Sequence, residues 1–546
     1  MRSDPSTLIT RRMLLGRGAL VAGAAVALPG LQGLLASVAE ASKSRPPHDR
    51  LEDGDYGPLE RRLPVAVYTD FPNASDIEWL ALPAGFKYVV FGVAGDLMSD
   101  GISTPSAHDG MGAFKFGRNG YRLIRNHENR DGASAVQSNP IAGSLRAYDP
   151  RGGGGTTTLE LETDRHGVPR LVSSFVSLNG TIVNCAGGVT PWNSWISSEE
   201  TTTTRGGVKH GYNFEVPADG EEPVEPIPLR AMGRFSHEAV AFDPRSKIAY
   251  QTEDSGNSGF YQFLSNQRGN LYDGTLQMLS VNGEPLADLS GSNSSVPAPE
   301  VGDTFPVEWV TISDPDPNVP QAALRKAIYN QGRALGAATF GRLEGCWYDK
   351  DTHSIVFSCT DGGRARQGQV WQYEPRGHRR GKLRLLFESP AGRLLARPDN
   401  LTASPGSGTL LCEDHSFNRP GDPFAPLPWE RQSGSGRNQV HYLKGLSERG
   451  EIFDFAANAL DNKEWAGACF SPDGRFLFAN TQGATSSFSP NNTNPRNRRN
   501  FGRTYAIWGP WGHGAFGPDK KRGSRDSKGS RDSRGSHKHR GPRGSR

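Results

Sequence analysis

The stretch HEAVAFDPRSKIAYQTED, residues 237–254, sets the pattern for the chain. An apolar, β-compatible arm (238–242) runs into Asp243-Pro244-Arg245-Ser246, a cluster of turn formers. A second apolar arm opens at Ile248-Ala249-Tyr250. This predicts an antiparallel hairpin whose polar ends, Glu238 and the pair Glu253-Asp254, fall at one edge of a sheet. Carboxylates placed at strand ends, beyond the packed arms, read as delivery to a shared site.

Five more stretches follow the same plan without matching it closely in sequence. Asp109-Gly110-Met111 crosses a turn at Gly117-Arg118-Asn119-Gly120 and ends on Asn126-His127-Glu128. Cys185-Ala186-Gly187-Gly188 crosses Thr190-Pro191 and ends on Glu199-Glu200. Glu344-Gly345-Cys346 crosses Asp349-Lys350-Asp351 and ends on Thr360-Asp361. Asp399-Asn400-Leu401 crosses Ser404-Pro405-Gly406 and ends on Glu413-Asp414. Glu464-Trp465-Ala466-Gly467 crosses Pro472-Asp473-Gly474 and ends on Thr481-Gln482. Repeated sheets on one chain predict an all-β fold, a six-bladed β-propeller with long loop insertions and a short helix. An ordinary sandwich would not demand a polar residue at the same end of every hairpin; a propeller does, because its innermost strands end around one funnel. The helix is expected over 321–338, a loop-rich insertion over 265–320, a long surface loop over 415–438 and a closing last strand over 505–511.

Composition agrees: 67 Gly and 39 Pro among 546 residues suit many turns and few long helices. The ends are different in kind. Thr10-Arg11-Arg12-Met13-Leu14-Leu15, an Ala/Gly-rich apolar stretch and Ala39-Glu40-Ala41 read as a twin-arginine signal peptide over 1–41. Residues 42–65 read as an exposed linker, 66–516 as the propeller domain, and 517–546 as a disordered basic tail. From Asp519 the tail carries a net +8 and the signal +2, so of the overall +4 about −6 remains for the body. The tail is read as solvated, with weak contact to anionic surfaces as its one suggested partner; no nucleic-acid module is visible. Export by the twin-arginine machinery would put the protein in the periplasm, on the cell wall or outside the cell.

Five cysteines without close pairing argue against a disulfide framework or zinc ribbon. Cys346, Cys359, Cys412 and Cys469 sit in apolar strands and read as core thiols. Cys185 opens its hairpin where other units carry acids. Glu128, Glu199, Glu200, Glu238, Glu253, Asp254, Glu344, Asp361, Asp399, Glu413, Asp414 and Glu464 converge on the expected funnel, although strand neighbours alternate faces and cannot all point inward. So many carboxylates cannot ionise together without cations. Oxygen ligands in this number favour Ca²⁺, and a single thiolate argues for a transition metal beside it. His127 and His237 read as structural. Arg342, two residues before Glu344, is either a phosphate clamp or a salt-bridge partner; Arg234, Arg364, Arg366 and Arg397 are further candidates.

The motifs LPAGFKY (82–88), GDLMSDG (95–101), RNHE (125–128), NCAGGVTPWNSWISSEE (184–200), GRFSHEA (233–239), YQTEDSG (250–256), RLEG (342–345), RPDNL (397–401), CEDHS (412–416), AGACFSPDG (466–474) and YAIWGPWG (505–512) resemble the PhoX-type alkaline phosphatases. The resemblance spans most of the chain beyond the signal. It implies a six-bladed propeller with a mixed iron (Fe3+) and calcium (Ca2+) centre that hydrolyses phosphate monoesters, with action on diesters left open. Carried over by motif, Cys185 is the thiolate iron ligand and Glu238 and Glu344 lie near the irons. Glu199, Glu200, Glu253, Asp399 and Glu413 supply oxygens to iron or calcium, and Arg342 binds the phosphate. No Ser/Thr/Asp nucleophile motif is evident, so the implied attack is by a metal-activated oxygen. Two rival functions share the outline: a calcium-dependent lactonase, which needs neither thiolate nor phosphate clamp, and a phosphate-binding propeller without catalysis.

Overall fold

A computed structural model describes residues 54–71, 73–129, 146–415, 423–424, 440–483 and 501–516. The signal segment 1–41, the first part of the expected linker, almost all of the 415–438 loop and the basic tail lie outside the described residues.

All the hairpins expected from the sequence form. His237–Phe242 pairs antiparallel with Ala249–Glu253, from His237 opposite Glu253 to Phe242 opposite Ala249. His108–Phe116 pairs with Gly120–His127, Asn184–Val189 with Ser194–Glu199, and Leu343–Asp349 with Ser354–Cys359. Pro398–Ala403 pairs with Thr409–Glu413, and Trp465–Phe470 with Leu477–Thr481. The first strands of these hairpins lie side by side. His108–Phe116 packs on Asn184–Val189, which packs on His237–Phe242. The sequence continues through Leu343–Asp349, Pro398–Ala403 and Trp465–Phe470 back to His108–Phe116. Glycines permit the approach: a Cβ on Gly188 would stand 1.6 Å from the Val240 carbonyl oxygen of the neighbouring first strand.

The fold is all-β and propeller-like, with few helices. Two features blur separate blades. Thr304–Thr311 pairs with Gly274–Val281 on one side and Arg380–Glu388 on the other, which fuses two meanders into one nine-stranded sheet. Gly274–Val281 and Thr304–Thr311 fall inside the stretch 265–320 expected as loops. Thr304–Thr311 is mostly exposed or half-buried, so its apolar residues give no continuous buried run to read from sequence. N-terminal strands complete the last two sheets. Lys87–Phe91 pairs with Arg503–Trp508, and Leu80–Leu82 with Ile452–Asn458. Within the stretch expected as linker, Glu60–Arg62 pairs with Leu80–Leu82. Tyr56 packs edge-on against Phe86 and Phe455 and near Phe516, so an aromatic layer ties both ends of the described chain to the last sheets.

The expected helix is two: Gln321–Leu324 and Ala327–Ala334. Between them Lys326 leaves helical geometry, and its amine bonds Ser255 and Asn257. Among the described residues no helix is long and apolar enough to cross a membrane.

Candidate metal centre

One backbone device builds the site. Near the start of each hairpin two residues of the first strand oppose one of the second. His108 faces His127 but Met111 faces Arg125; His237 faces Glu253 but Val240 faces Gln251. The same slip separates Asn184 from Gly187, Leu343 from Cys346, Pro398 from Leu401 and Ala466 from Cys469. Such a β-bulge breaks strict alternation and re-aims a side chain. The re-aimed residues are Asp109, Cys185, Glu238, Glu344 and Asp399, with Gly467 in the last hairpin. Gly467 has φ +61°, and a Cβ there would stand 2.2 Å from the Asp109 carbonyl oxygen.

These residues meet. Ligand atoms of Cys185, Glu238 and Asp399 all lie within 4.8 Å of one another. The Cys185 thiol donates to Glu238 Oε1 at 3.3 Å, and Asn400 Nδ2 reaches Asp399 Oδ1 at 2.9 Å and Glu238 Oε1 at 3.4 Å. All are buried except Asp399, which is partly exposed. Burial pushes the Asp109 carboxyl well above its ordinary value, and Asp399 and Glu128 add to it. Glu238 rises for the same reason, with Asp399, Glu200 and Asp109 nearby. Glu344 is raised by burial, Asp254 and Asp399, against the opposing charge of Arg342. Burial and Asp414 raise Asp399, and burial with the surrounding acids raises the Cys185 thiol.

A second device closes the mouth. The residue before each first strand accepts a bond from the N–H that follows the second strand. These pairs are Ala107 with Glu128, Val183 with Glu200, Ser236 with Asp254, Arg342 with Thr360, Arg397 with Asp414 and Glu464 with Gln482. Gln482 Nε2 then bonds Asp109 Oδ2 at 3.1 Å and Glu128 Oε2 at 2.8 Å.

Alternation splits each acid pair at the ends of the second strands. Glu200, Asp254 and Asp414 act on the central group. Their neighbours face away. Glu199 accepts from the N–H groups of Ile182, Gly211 and Tyr212 and from His210 Nδ1 at 2.6 Å. Glu413 accepts from the N–H groups of Ala396 and Tyr442. Glu253 accepts from the Gly259 N–H and the Tyr261 hydroxyl. Of the expected ligands the structure therefore gathers Cys185, Glu200, Glu238, Glu344 and Asp399, and sets Glu199, Glu253 and Glu413 as supports of the backbone. Asp109 was not among the expected ligands. Its signal was legible, since Asp109-Gly110 opens its unit as Glu344-Gly345 does.

Arg342 lies just before its strand at φ 44°, so its meeting with Glu344 does not come from a shared strand face. Nε and Nη2 bind both oxygens of Asp254 at 2.8 and 2.9 Å, and Nη2 also reaches Glu344 Oε1 at 2.8 Å. Among the described residues no acceptor meets Nη1. Arg234 is instead a buried support that bonds the carbonyls of His210 and Thr202. His127 and His237 are structural, as expected: His127 bonds Ser106 and Thr157, and burial lowers His237 to about 3. The other four cysteines are buried and unpaired.

The donor set fits cations. Glu238 Oε2 and Asp109 Oδ1 are buried without a hydrogen-bond partner. Among the described residues no ion pair reaches Asp109, Glu238 or Asp399, and Arg342 alone reaches Glu344. Four clustered carboxylates with one arginine nearby need positive charge between them at neutral pH. Carboxylate oxygens beside a single sulfur are donors that metal ions take.

A propeller-like β fold with buried acids and a thiol gathered at one mouth defines the class of a metal-site protein. The family model described as Alkaline phosphatase PhoX matches residues 64–485. The chain belongs to that family, and is a phosphatase. No curated protein matches it. Among solved structures it is similar to Pseudomonas fluorescens PhoX in complex with vanadate, a transition state analogue. That match has 16% identity, a TM-score of 0.58, and covers 85% of this chain and 100% of that one. A gluconolactonase from Xanthomonas campestris matches at 11% identity and TM-score 0.30, over 74% of this chain and 97% of that one.

Proposed function

We propose that the protein is an exported, six-bladed enzyme that hydrolyses phosphate monoesters at a centre of Fe3+ and Ca2+. The six-blade reading is supported by the circuit of first strands, each followed by its own hairpin. Export is supported by the twin-arginine pattern of residues 10–15. Cys185, Glu238, Glu344 and Asp399 would hold the metals, joined by Asp109 and Glu200; Glu199, Glu253 and Glu413 hold the backbone that carries them. Bound there, the metals supply Lewis-acid polarisation of the phosphoryl group and an activated oxygen nucleophile.

The chain's own part is positioning. Asp254 and Glu344 fix the guanidinium of Arg342 and leave Nη1 for a phosphoryl oxygen. Its charge then lies where the equatorial oxygens gain charge in the transition state. The observation that carries the proposal is the Cys185–Glu238–Asp399 cluster, because calcium sites need no thiol.

Metal analysis of the purified protein, paired with turnover of p-nitrophenyl phosphate, tests it. Iron and calcium together are expected. Arg342→Ala should lower kcat/KM by about 100-fold or more with metal content retained. Calcium without iron, or an Arg342→Ala enzyme as active as wild type, would sink the assignment.

A further inference from the structure

The positions just before the first strands form a set: Ala107, Val183, Ser236, Arg342, Arg397 and Glu464, each receiving the same N–H bond. Four of them share a left-handed backbone, at φ 52° for Ala107, 53° for Val183, 44° for Arg342 and 54° for Arg397. The backbone device is therefore a property of the ring. Which side chain it carries is free, since alanine and valine serve as well as arginine. On one side of the mouth the set is uncharged. On the other, Arg342 and Arg397 sit on adjacent first strands that pack against each other, and the buried acid Glu464 opens the next strand of the circuit. Asp414 lies between them: its N–H bonds the Arg397 carbonyl, and its charge acts on Arg342.

The two arginines differ in how they are held. Arg342 is gripped by two carboxylates at 2.8 to 2.9 Å. Arg397 reaches Asp361 Oδ1 at 3.6 Å through Nε and His415 Nε2 at 3.2 Å through Nη1, with 32% of its side chain exposed. Arg366, 61% exposed, leans on the same Asp361 at 3.3 Å. One arc of the mouth thus carries cations with weak local partners, beside an arginine already committed to the phosphoryl end. A long cation whose fold role an alanine could fill, held loosely two residues before Asp399 and on the strand next to that of Arg342, suits a second anion on the substrate.

We infer that Arg397 is a specificity residue that binds a second anionic group on the leaving portion of the substrate, so that the enzyme favours phosphate esters bearing a carboxylate or further phosphate. This rests on the mouth and on Arg342 as read above. The carboxylate of 3-phosphoglycerate and the neutral alcohol of glycerol 3-phosphate provide a matched pair. Metal-loaded, full-length enzyme is compared with Arg397→Asn, which tolerates the left-handed backbone, and with Arg397→Lys. In Arg397→Asn the ratio of kcat/KM for 3-phosphoglycerate over glycerol 3-phosphate should fall about 10-fold, through a higher KM for the carboxylate-bearing ester. Arg397→Lys should recover part of it. An unchanged ratio, or a loss that falls on kcat for both substrates alike, would overturn the inference. Arg342→Ala run beside them separates the two readings. If it leaves both substrates untouched the phosphate assignment fails, whatever Arg397 does.

Discussion

Adjacent acids at the end of one strand have opposite fates here, and side-chain direction decides which. Glu253 and Asp254 are neighbours, yet Asp254 binds Arg342 and Glu253 points back to Gly259 and Tyr261. Glu253 Oε1 has no hydrogen-bond partner, and burial raises the carboxyl to about 7. Its folded value lies above its unfolded one, so its contribution is fully present at low pH and is lost as pH rises through about 7. Glu253→Gln, whose amide oxygen can still accept both bonds, should remove that loss. Relative to wild type it should gain stability between pH 5 and pH 8, on the order of 3 kcal/mol. Urea unfolding at the two pH values checks the sign. If the substitution instead lowered metal content and stability at pH 8, Glu253 would belong with the ligands.

At the scale of the element, the bulge and the close approach of first strands do the positioning. The chain signals both in outline: an acid or cysteine followed by small residues opens most units, as in Asp109-Gly110, Cys185-Ala186-Gly187 and Glu344-Gly345. A one-residue slip has no composition of its own, so the bulge could be seen only in the pairing. Gly188 shows the constraint, because any side chain there would enter the Val240 backbone. Gly188→Ala should push the neighbouring first strands apart, costing about 3 kcal/mol or more and reducing metal bound per chain. Gly512→Ala, with open space around its added carbon, should behave as wild type. Thermal melts with metal analysis distinguish them; an unaltered Gly188→Ala protein would mean that the first strands can part without harm to the site.

Over the whole molecule, acids from separated hairpins are brought to one mouth and their repulsion is left for metal ions to relieve. Asp109, Glu238, Glu344 and Asp399 all have folded values above their ordinary ones. In metal-free protein each contributes stability at low pH that disappears as pH rises from the ordinary carboxylate range toward those values. The melting temperature of chelator-stripped protein should therefore fall between pH 5 and pH 8, while that of the metal-loaded protein changes little. A stripped protein that melts as high at pH 8 as at pH 5 would show that the acids do not share one site. The last two sheets add a further whole-molecule feature, since both need strands from the beginning of the chain.

The chain by itself determined the hairpins, because apolar arms around Pro, Gly and Asp turns admit few other local structures. It also determined which residue types stand at their ends, and so the kind of chemistry. The tertiary structure alone decided which of those ends face the mouth. Glu199 and Glu200 are indistinguishable as letters, and only pairing register and the neighbouring backbone N–H groups separate the one bound to backbone from the one whose charge reaches the central group. Asp109 joined the site for the same reason: inward aim follows from a bulge fixed by contacts between strands distant in sequence, which local pattern does not encode.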